Sequence, residues 1–346
     1  MLDDAFYPEE PAISLELTNY CNLQCPYCGS RNLTRTRGYM EWELLEKIVA
    51  ECKGGRHGID YLIGAGEPLL YPRLEDAIRL IREHDAGLAN LVTNGVLLTP
   101  DKTRKLLDAG LRLIRISLDS LDADLYASTR AADLTRVVGN IRELIRIAPS
   151  TVSIQIALMN SSVQLLSQRN IDEFYEVFGV QGNVQCVWAD NVFIPTAEDY
   201  RVSPTPKTWC ALSGNFFCVA YDGRVWLCCA DQDVQHPLGD LKNDSIDAVW
   251  LKEANQEAFS RVAFGEPGAS RFCIEKCGLE IDYASQGASH AEIEQMHVKK
   301  LLHLAGMTKV DSCLYFVKPE VFLKHALTID PGNPEVLAAL DAAKRN

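Results

Sequence analysis

From Ile13 onward the apolar positions follow two alternating rhythms. Short runs rich in Ile, Val and Leu occupy Ile13–Thr18, Ile59–Gly64, Leu88–Thr93, Leu113–Leu118, Val152–Met159 and Val184–Trp188. Runs of this kind, apolar on both faces, predict buried parallel strands. Between them the apolar spacing stretches to the period of a helix. Glu41–Cys52 places Trp42, Leu45, Ile48 and Val49 on one face, and Leu74–Glu83 does the same with Ile78 and Ile81. Lys102–Ala109, Leu134–Ile147 and Ile171–Phe178 complete the set, with Gly110 and Pro149 as stops. This alternation predicts a parallel α/β sheet with right-handed crossovers. Pattern alone does not separate an open doubly wound sheet from a partial barrel. In either, ligands belong at the carboxyl ends of the strands.

After residue 190 the rhythm changes. Asn191–Pro206 carries Pro195, Pro204 and Pro206 and reads as a linker. Phe216–Val219 and Val225–Cys228 flank Asp222-Gly223, which predicts a β-hairpin. From His290 the pattern is helical, with candidates at Glu292–Leu304, Pro319–Leu327 and Pro334–Arg345. The expected organisation is a core at 1–190, a linker at 191–206, a small cysteine-rich domain at 207–285 and a helical extension at 286–346. Ala326–Pro334 resembles the seam of a tetratricopeptide repeat, but a single unit of that kind cannot bury its own face.

The 346 residues are 47% hydrophobic, enough for a sizeable core, and carry a formal charge of −13. That balance argues against a nucleic-acid or anionic-membrane partner. No apolar run reaches the length of a membrane span, and Met1–Asp4 shows no secretion pattern. Twelve cysteines without such a signal point to metal binding or catalysis in a reducing, cytoplasmic setting, not to a disulfide framework.

Three of them, Cys21, Cys25 and Cys28, stand at C-x3-C-x2-C just after the first strand. Three thiolates on one loop can each bind one iron of a 4Fe–4S cube and leave the fourth iron open. A zinc site or packed thiols is the competing reading, though no fourth ligand follows closely. With Tyr27 before the last cysteine, this loop resembles that of the radical S-adenosylmethionine (SAM) superfamily. The resemblance implies a partial (β/α)6 barrel, SAM chelated by the open iron, and reductive cleavage of SAM to a 5′-deoxyadenosyl radical. Gly64-Ala65-Gly66-Glu67-Pro68 is similar to that family's Gly-Gly-Glu-Pro motif, with Ala65 replacing one glycine. Gly66, Glu67, Asn94, Ser117, Asp119 and Arg130 fall at or near strand ends and are the implied SAM contacts. Each has a plainer reading as a turn, cap or surface residue. Asp190 closes the sixth strand and is a candidate base facing substrate.

Cys210, Cys218, Cys228, Cys229, Cys273 and Cys277 cluster further on. Cys210 and Cys228 fit C-x12-G-x4-C through Gly223, which resembles the opening of SPASM and twitch auxiliary-cluster domains. Leu238–Leu241 and Ser245–Trp250 look like their connecting segment. That resemblance implies a second 4Fe–4S cluster on Cys210, Cys228, Cys273 and Cys277. Cys273 and Cys277 are spaced one residue wider than usual, and a four-thiolate zinc ribbon is the alternative. Cys218 and Cys229 are candidate hydrogen-atom donors, whereas Cys52 and Cys186 read as core residues.

The expectation is therefore a radical SAM oxidoreductase fed by an external one-electron reductant such as flavodoxin or ferredoxin. Relatives of this architecture dehydrogenate small molecules or modify peptides. The barrel begins almost at once, with no room for a fused peptide-recognition domain, so a sugar or aminocyclitol is the expected substrate. Epimerisation, peptide maturation and a non-catalytic iron–sulfur or zinc scaffold are the alternatives.

Overall fold

The computed structural model describes residues 12–26, 28–54, 57–160, 168–179, 182–190, 216–226, 231–255 and 330–343, plus positions 258, 302, 323 and 327. The first six strands are β1 (Ala12–Leu15), β2 (Gly58–Leu62), β3 (Asn90–Thr93), β4 (Leu113–Asp119), β5 (Ser153–Asn160) and β6 (Val184–Asp190). They pair in parallel, each with its sequence neighbour. A strand order that runs from 1 to 6 without reversal has no switch point. It is the order of a partial barrel and not of a doubly wound sheet. Ile13, Leu15, Leu62, Leu91, Ile114, Ile116, Ile154 and Ile156 are all fully buried, as the continuous apolar runs require.

The connecting helices are α1 (Trp42–Cys52), α2 (Leu74–Glu83), α3 (Pro100–Asp108), α4 (Ala123–Arg130), α5 (Leu134–Ile147) and α6 (Gln168–Phe178). α1 buries Leu44, Leu45, Ile48, Val49 and Cys52. Trp42, expected on that face, instead lies under the Arg73 guanidinium, 3.4 Å from its ring centroid. α3 starts earlier than its apolar spacing suggests, because Thr99 caps it and Pro100 opens its first turn. α4 was not anticipated. It is short, is capped by Asp122 and ends at Ala131 in the left-handed region. β3 also starts later than expected. Asp85, Gly87 and Ala89 have φ of 51°, 140° and 53°, which breaks the extended run and leaves Leu88 exposed.

The hairpin forms as expected: β7 (Phe216–Val219) and β8 (Arg224–Trp226) are antiparallel about Gly223, at φ +90°. Two elements of the segment that follows were not foreseen, β9 (Pro237–Asp240) and α7 (Ile246–Trp250). β7 to β9 continue the barrel sheet beyond β1, giving among the described residues nine strands in the order β6-β5-β4-β3-β2-β1-β7-β8-β9. Residues 217–249, expected in a separate domain, thus share one compact unit with the barrel. Positions from 250 onward belong to a second unit, where α8 (Pro334–Ala343) starts from an Asn333 cap. The linker lies outside the described residues, as do Glu292–Leu304 and Pro319–Leu327 apart from Leu302, Leu323 and Leu327. No helix among the described residues is long and apolar enough to cross a membrane.

The α2–β3 turn yields a stability prediction. A Cβ on Gly87 would stand 2.3 Å from Ile59 N and 2.5 Å from Ile59 O, and neither backbone atom can yield. Gly87→Ala should cost about 1–3 kcal/mol, read by anaerobic denaturant unfolding; an unchanged midpoint would contradict this packing.

Candidate active site

The loop after β1 is shaped by its own backbone and by a strap at residues 34–40. Cys28 N donates to Cys25 O (3.1 Å) and Arg31 N to Cys28 O (3.1 Å), which coils the chain through the last two cysteines. Thr18, just past β1, bridges to Tyr39. Asn19 holds the strap through Thr36 O (2.9 Å) and Gly38 N (2.8 Å). Arg37 spans the mouth of the loop, donating to Asn19 O and to Ser30 O (2.6 Å). Cys25 is buried, and Cys21 and Cys28 are half-buried. Burial pushes all three thiols above the usual range, Cys25 to about 11. Arg130 works against that rise at each sulfur, and Arg37 does so at Cys28.

The expected SAM contacts lie around this loop, but several are held by one another. Glu67 is buried; its carboxylate accepts from Thr93 Oγ1 (2.6 Å), Asn94 N (2.8 Å) and Leu69 N (3.1 Å). It therefore joins the ends of β2 and β3. Burial raises its pKa, and these bonds partly offset the rise. Asn94 in turn reaches Asn22 Oδ1 in the cysteine loop (2.9 Å). Asp119, at φ 66°, takes Arg130 in a two-point ion pair with both contacts at 2.5 Å. Ser117 is half-buried on β4, just before the irregularity that turns Asp119. Gly66 is required by space: a Cβ there would meet Thr18 O at 2.2 Å and Tyr20 O at 2.6 Å.

Sequence reasoning missed Glu16 and Arg35. Glu16 is fully buried and accepts from Arg35 Nη1 (2.7 Å), Arg35 Nη2 (2.6 Å), Ala65 N (2.8 Å) and Tyr221 N (3.3 Å). One carboxylate thus ties β1, the loop after β2 and the β7–β8 turn. Arg35 also donates through Nε to Gln232 O (2.5 Å), while Asp233 Oδ1 accepts from Thr34 N (2.7 Å) and Arg35 N (3.2 Å). The available signal was an acidic residue inside an apolar strand, which demands a buried cation.

The remaining candidates are placed unevenly. Cys218 is buried on β7 opposite Trp226. Asp190 closes β6 beside Asn160, its side chain outside the described residues. Tyr27, Cys210, Cys228, Cys229, Cys273 and Cys277 lie outside them too. Burial pushes the Cys52 and Cys186 thiols up to about 12; Cys52 is fully buried in the core as expected, whereas Cys186 on β6 is only half-buried. Among the described residues no three His, Cys, Asp or Glu side chains close on the single point that one metal ion needs. A 4Fe–4S cube asks for something else: separate sulfurs, each at its own iron. The cysteine loop, with three thiols beside two arginines, suits such a group.

Residues 15–161 match the profile of the radical SAM superfamily, and residues 210–278 match that of the SPASM iron–sulfur cluster-binding domain. A probable GTP 3′,8-cyclase of Methanocaldococcus jannaschii is 30% identical over 211 residues, covering 59% of this chain and 67% of that protein. The chain belongs to the radical SAM superfamily. The GTP 3′,8-cyclase of Alkaliphilus oremlandii is 32% identical over 198 residues, covering 53% of this chain and 61% of that protein. The chain therefore spans about three-fifths to two-thirds of the length of these two relatives. They are named as cyclases and not as the sugar dehydrogenases expected above. Among solved structures, anSMEcpe with bound AdoMet has a TM-score of 0.57 at 18% identity, covering 85% of this chain and 99% of that one. Streptococcus suis SuiB bound to precursor peptide SuiA scores 0.59 at 12% identity, covering 81% and 77%. BtrN in complex with AdoMet and 2-DOIA scores 0.52 at 17% identity, covering 78% and 92%. At these identities the likeness is one of fold. As a radical SAM enzyme with a SPASM domain, the protein uses SAM and two 4Fe–4S clusters.

The Glu16–Arg35 pair carries the prediction from this geometry. Removing one partner of a buried pair strands the other charge, at a cost of about 3–5 kcal/mol. Arg35→Met should show that loss, and Glu16→Gln/Arg35→Met should recover part of it. A double-mutant cycle by denaturant unfolding measures the coupling, and a value within about 0.5 kcal/mol of zero would contradict the pairing.

Proposed function

We propose that Cys21, Cys25 and Cys28 hold the SAM-cleaving cluster and that Cys210, Cys228, Cys273 and Cys277 hold the auxiliary one. On this reading the enzyme carries out a two-electron oxidation of a small hydroxyl- or amine-bearing molecule such as a sugar or aminocyclitol. When bound, the first cluster supplies the electron that cleaves SAM, and the resulting adenosyl radical abstracts a substrate hydrogen atom. Arg130 and Arg37 offset negative charge at the cysteine loop. Gly66 lets the loop after β2 approach, Asp119 fixes Arg130, and Glu67 fixes the ends of β2 and β3. Asp190 is the base for the substrate proton, and an external one-electron carrier such as flavodoxin or ferredoxin is the reductant.

One observation carries the electron-transfer part. The segment after Cys28 is hydrogen-bonded to the segment after Cys228, through Thr34 and Arg35 to Gln232 and Asp233. This ties the strap that follows the first cysteine loop to the segment that follows Cys228 in sequence, which supports a functional link between the two cysteine-bearing regions. If all four of its thiolates bind, no iron there is open to ligate substrate. The names of the curated relatives favour a second reading, radical cyclisation of a purine nucleotide.

Replacing Cys21, Cys25 and Cys28 together with Ala should remove about four irons per chain and abolish 5′-deoxyadenosine release. The remaining iron should keep a cluster-like Mössbauer signal; zinc alone at the second site would establish a ribbon instead. Turnover in deuterated water separates the outcomes. Oxidation gives a product two hydrogens lighter with no deuterium at the reacting carbon. An unchanged composition with one deuterium there signals epimerisation and would sink the oxidation reading, and consumption of GTP as the substrate would favour cyclisation.

A further inference from the structure

The inner face of the barrel holds a charge that the cysteine loop does not account for. On β4, Ile114 and Ile116 are fully buried, and Ile116 faces α5: a Cβ on Gly95 would lie 2.9 Å from Ile116 Cγ2 and 3.3 Å from Val137 Cγ1. Side chains alternate along a strand, so Arg115 and Ser117 face the barrel interior. Such interiors are normally filled by branched apolar side chains. Here Arg115 pairs in register with Gln155 on β5, and Gln155 with Gln185 on β6. The three form a polar row across the last three barrel strands. Arg115 is half-buried, Gln155 is buried, and Gln185 is exposed on β6, which ends the sheet among the described residues. The row therefore runs from the interior of the sheet to its edge.

The arginine is aimed. Its guanidinium donates through Nε (2.9 Å) and Nη2 (2.6 Å) to one atom, Gln155 Oε1. Because Gln155 is buried in the row, the acceptor is itself fixed. A neutral amide oxygen sets the direction of the fork and leaves its charge in place. A guanidinium has five N–H donors, and its planar fork matches carboxylate and phosphate. Arg115 lies two residues before Ser117 on the same face, about 7 Å deeper along the strand. A molecule anchored there extends toward the carboxyl ends of the strands, where the cysteine loop lies.

We propose that Arg115, aimed by Gln155, binds an anionic group of the substrate, a carboxylate or a phosphate. The substrate is then an acidic or phosphorylated sugar or cyclitol, held inside the barrel by its charged end. The inference rests on the small-molecule reading given above and adds the charge that the molecule carries.

The test labels the full chain, reconstituted anaerobically and loaded with SAM. Phenylglyoxal modifies guanidinium groups, and peptide mass spectrometry assigns each site. Arg115 should be labelled, and inorganic phosphate or acetate should slow its labelling while that of Arg79, exposed on α2, is unchanged. The anion that protects at the lower concentration tells a phosphorylated substrate from a carboxylic acid. Gln155→Glu sets a carboxylate against the guanidinium and should raise the half-protecting concentration about tenfold, the worth of one hydrogen bond to a charged group. An Arg115 that resists labelling, or that is labelled at the same rate with and without both anions, overturns the proposal. So does an unchanged half-protecting concentration in the Gln155→Glu chain. The first two results come from the unsubstituted chain, so a variant that fails to fold leaves the test intact. A cyclised product in place of an oxidised one, with Arg115 still protected, would discard the oxidation reading and keep the anion site.

Discussion

The Glu16 carboxylate is the constraint on which the arrangement depends. It sits buried just past the end of the first strand of the barrel, where an unpaired charge could not be tolerated. Its two oxygens collect the Arg35 fork, the Ala65 amide and the Tyr221 amide. Those donors come from the strap below the cysteine loop, from the glycine-rich loop after β2 and from the β7–β8 turn. Three segments distant in sequence are therefore referenced to one pair of atoms. The Arg35 side chain extends the tie to Gln232 through its remaining nitrogen. A buried ion pair of this kind specifies geometry more than it adds net stability, and here the geometry specified is that of the loop that bears Cys21, Cys25 and Cys28.

The motif residues around that loop work mainly on one another. Glu67 binds Thr93 and Asn94, Asn94 binds Asn22, and Asp119 binds Arg130. Such a network spends its polar groups on holding strand ends in register. What faces a ligand is then largely backbone, together with the field of the arginines. This explains how Ala65 can stand where the family motif has glycine. Its amide is turned to Glu16, and the residue that admits no side chain is Gly66, wedged against Thr18 O and Tyr20 O.

Much of the barrel was legible because its signals are local. The apolar runs located six strands, and the periodic faces located α2 and α5 with the bounds observed. α4 escaped because its apolar stripe is short and its cap, Asp122, looks like part of a turn. β9 escaped because Pro237-Leu238-Gly239-Asp240 reads as a turn, and it is a strand only by virtue of its pairing with β8. The cysteine spacing identified the candidate cluster loop. The roles of Glu16 and Arg35 depend on contacts between residues far apart in sequence, which no periodicity encodes. Even so, an acidic residue in a buried strand was a clue that its partner had to exist.

The attachment of β7 to β1 also bears on how such an enzyme can be divided or recombined. A six-stranded open barrel has two raw edges, and the one at β1 here is closed by the hairpin. A fragment ending after β6 would present unpaired β1 backbone, with Glu16 short of its Tyr221 donor, to any passing strand. Self-association is the natural fate of such an edge. Exchange of auxiliary modules during evolution therefore has to conserve a matching first strand as well as the metal ligands. The barrel and its hairpin therefore behave as one unit in any such exchange.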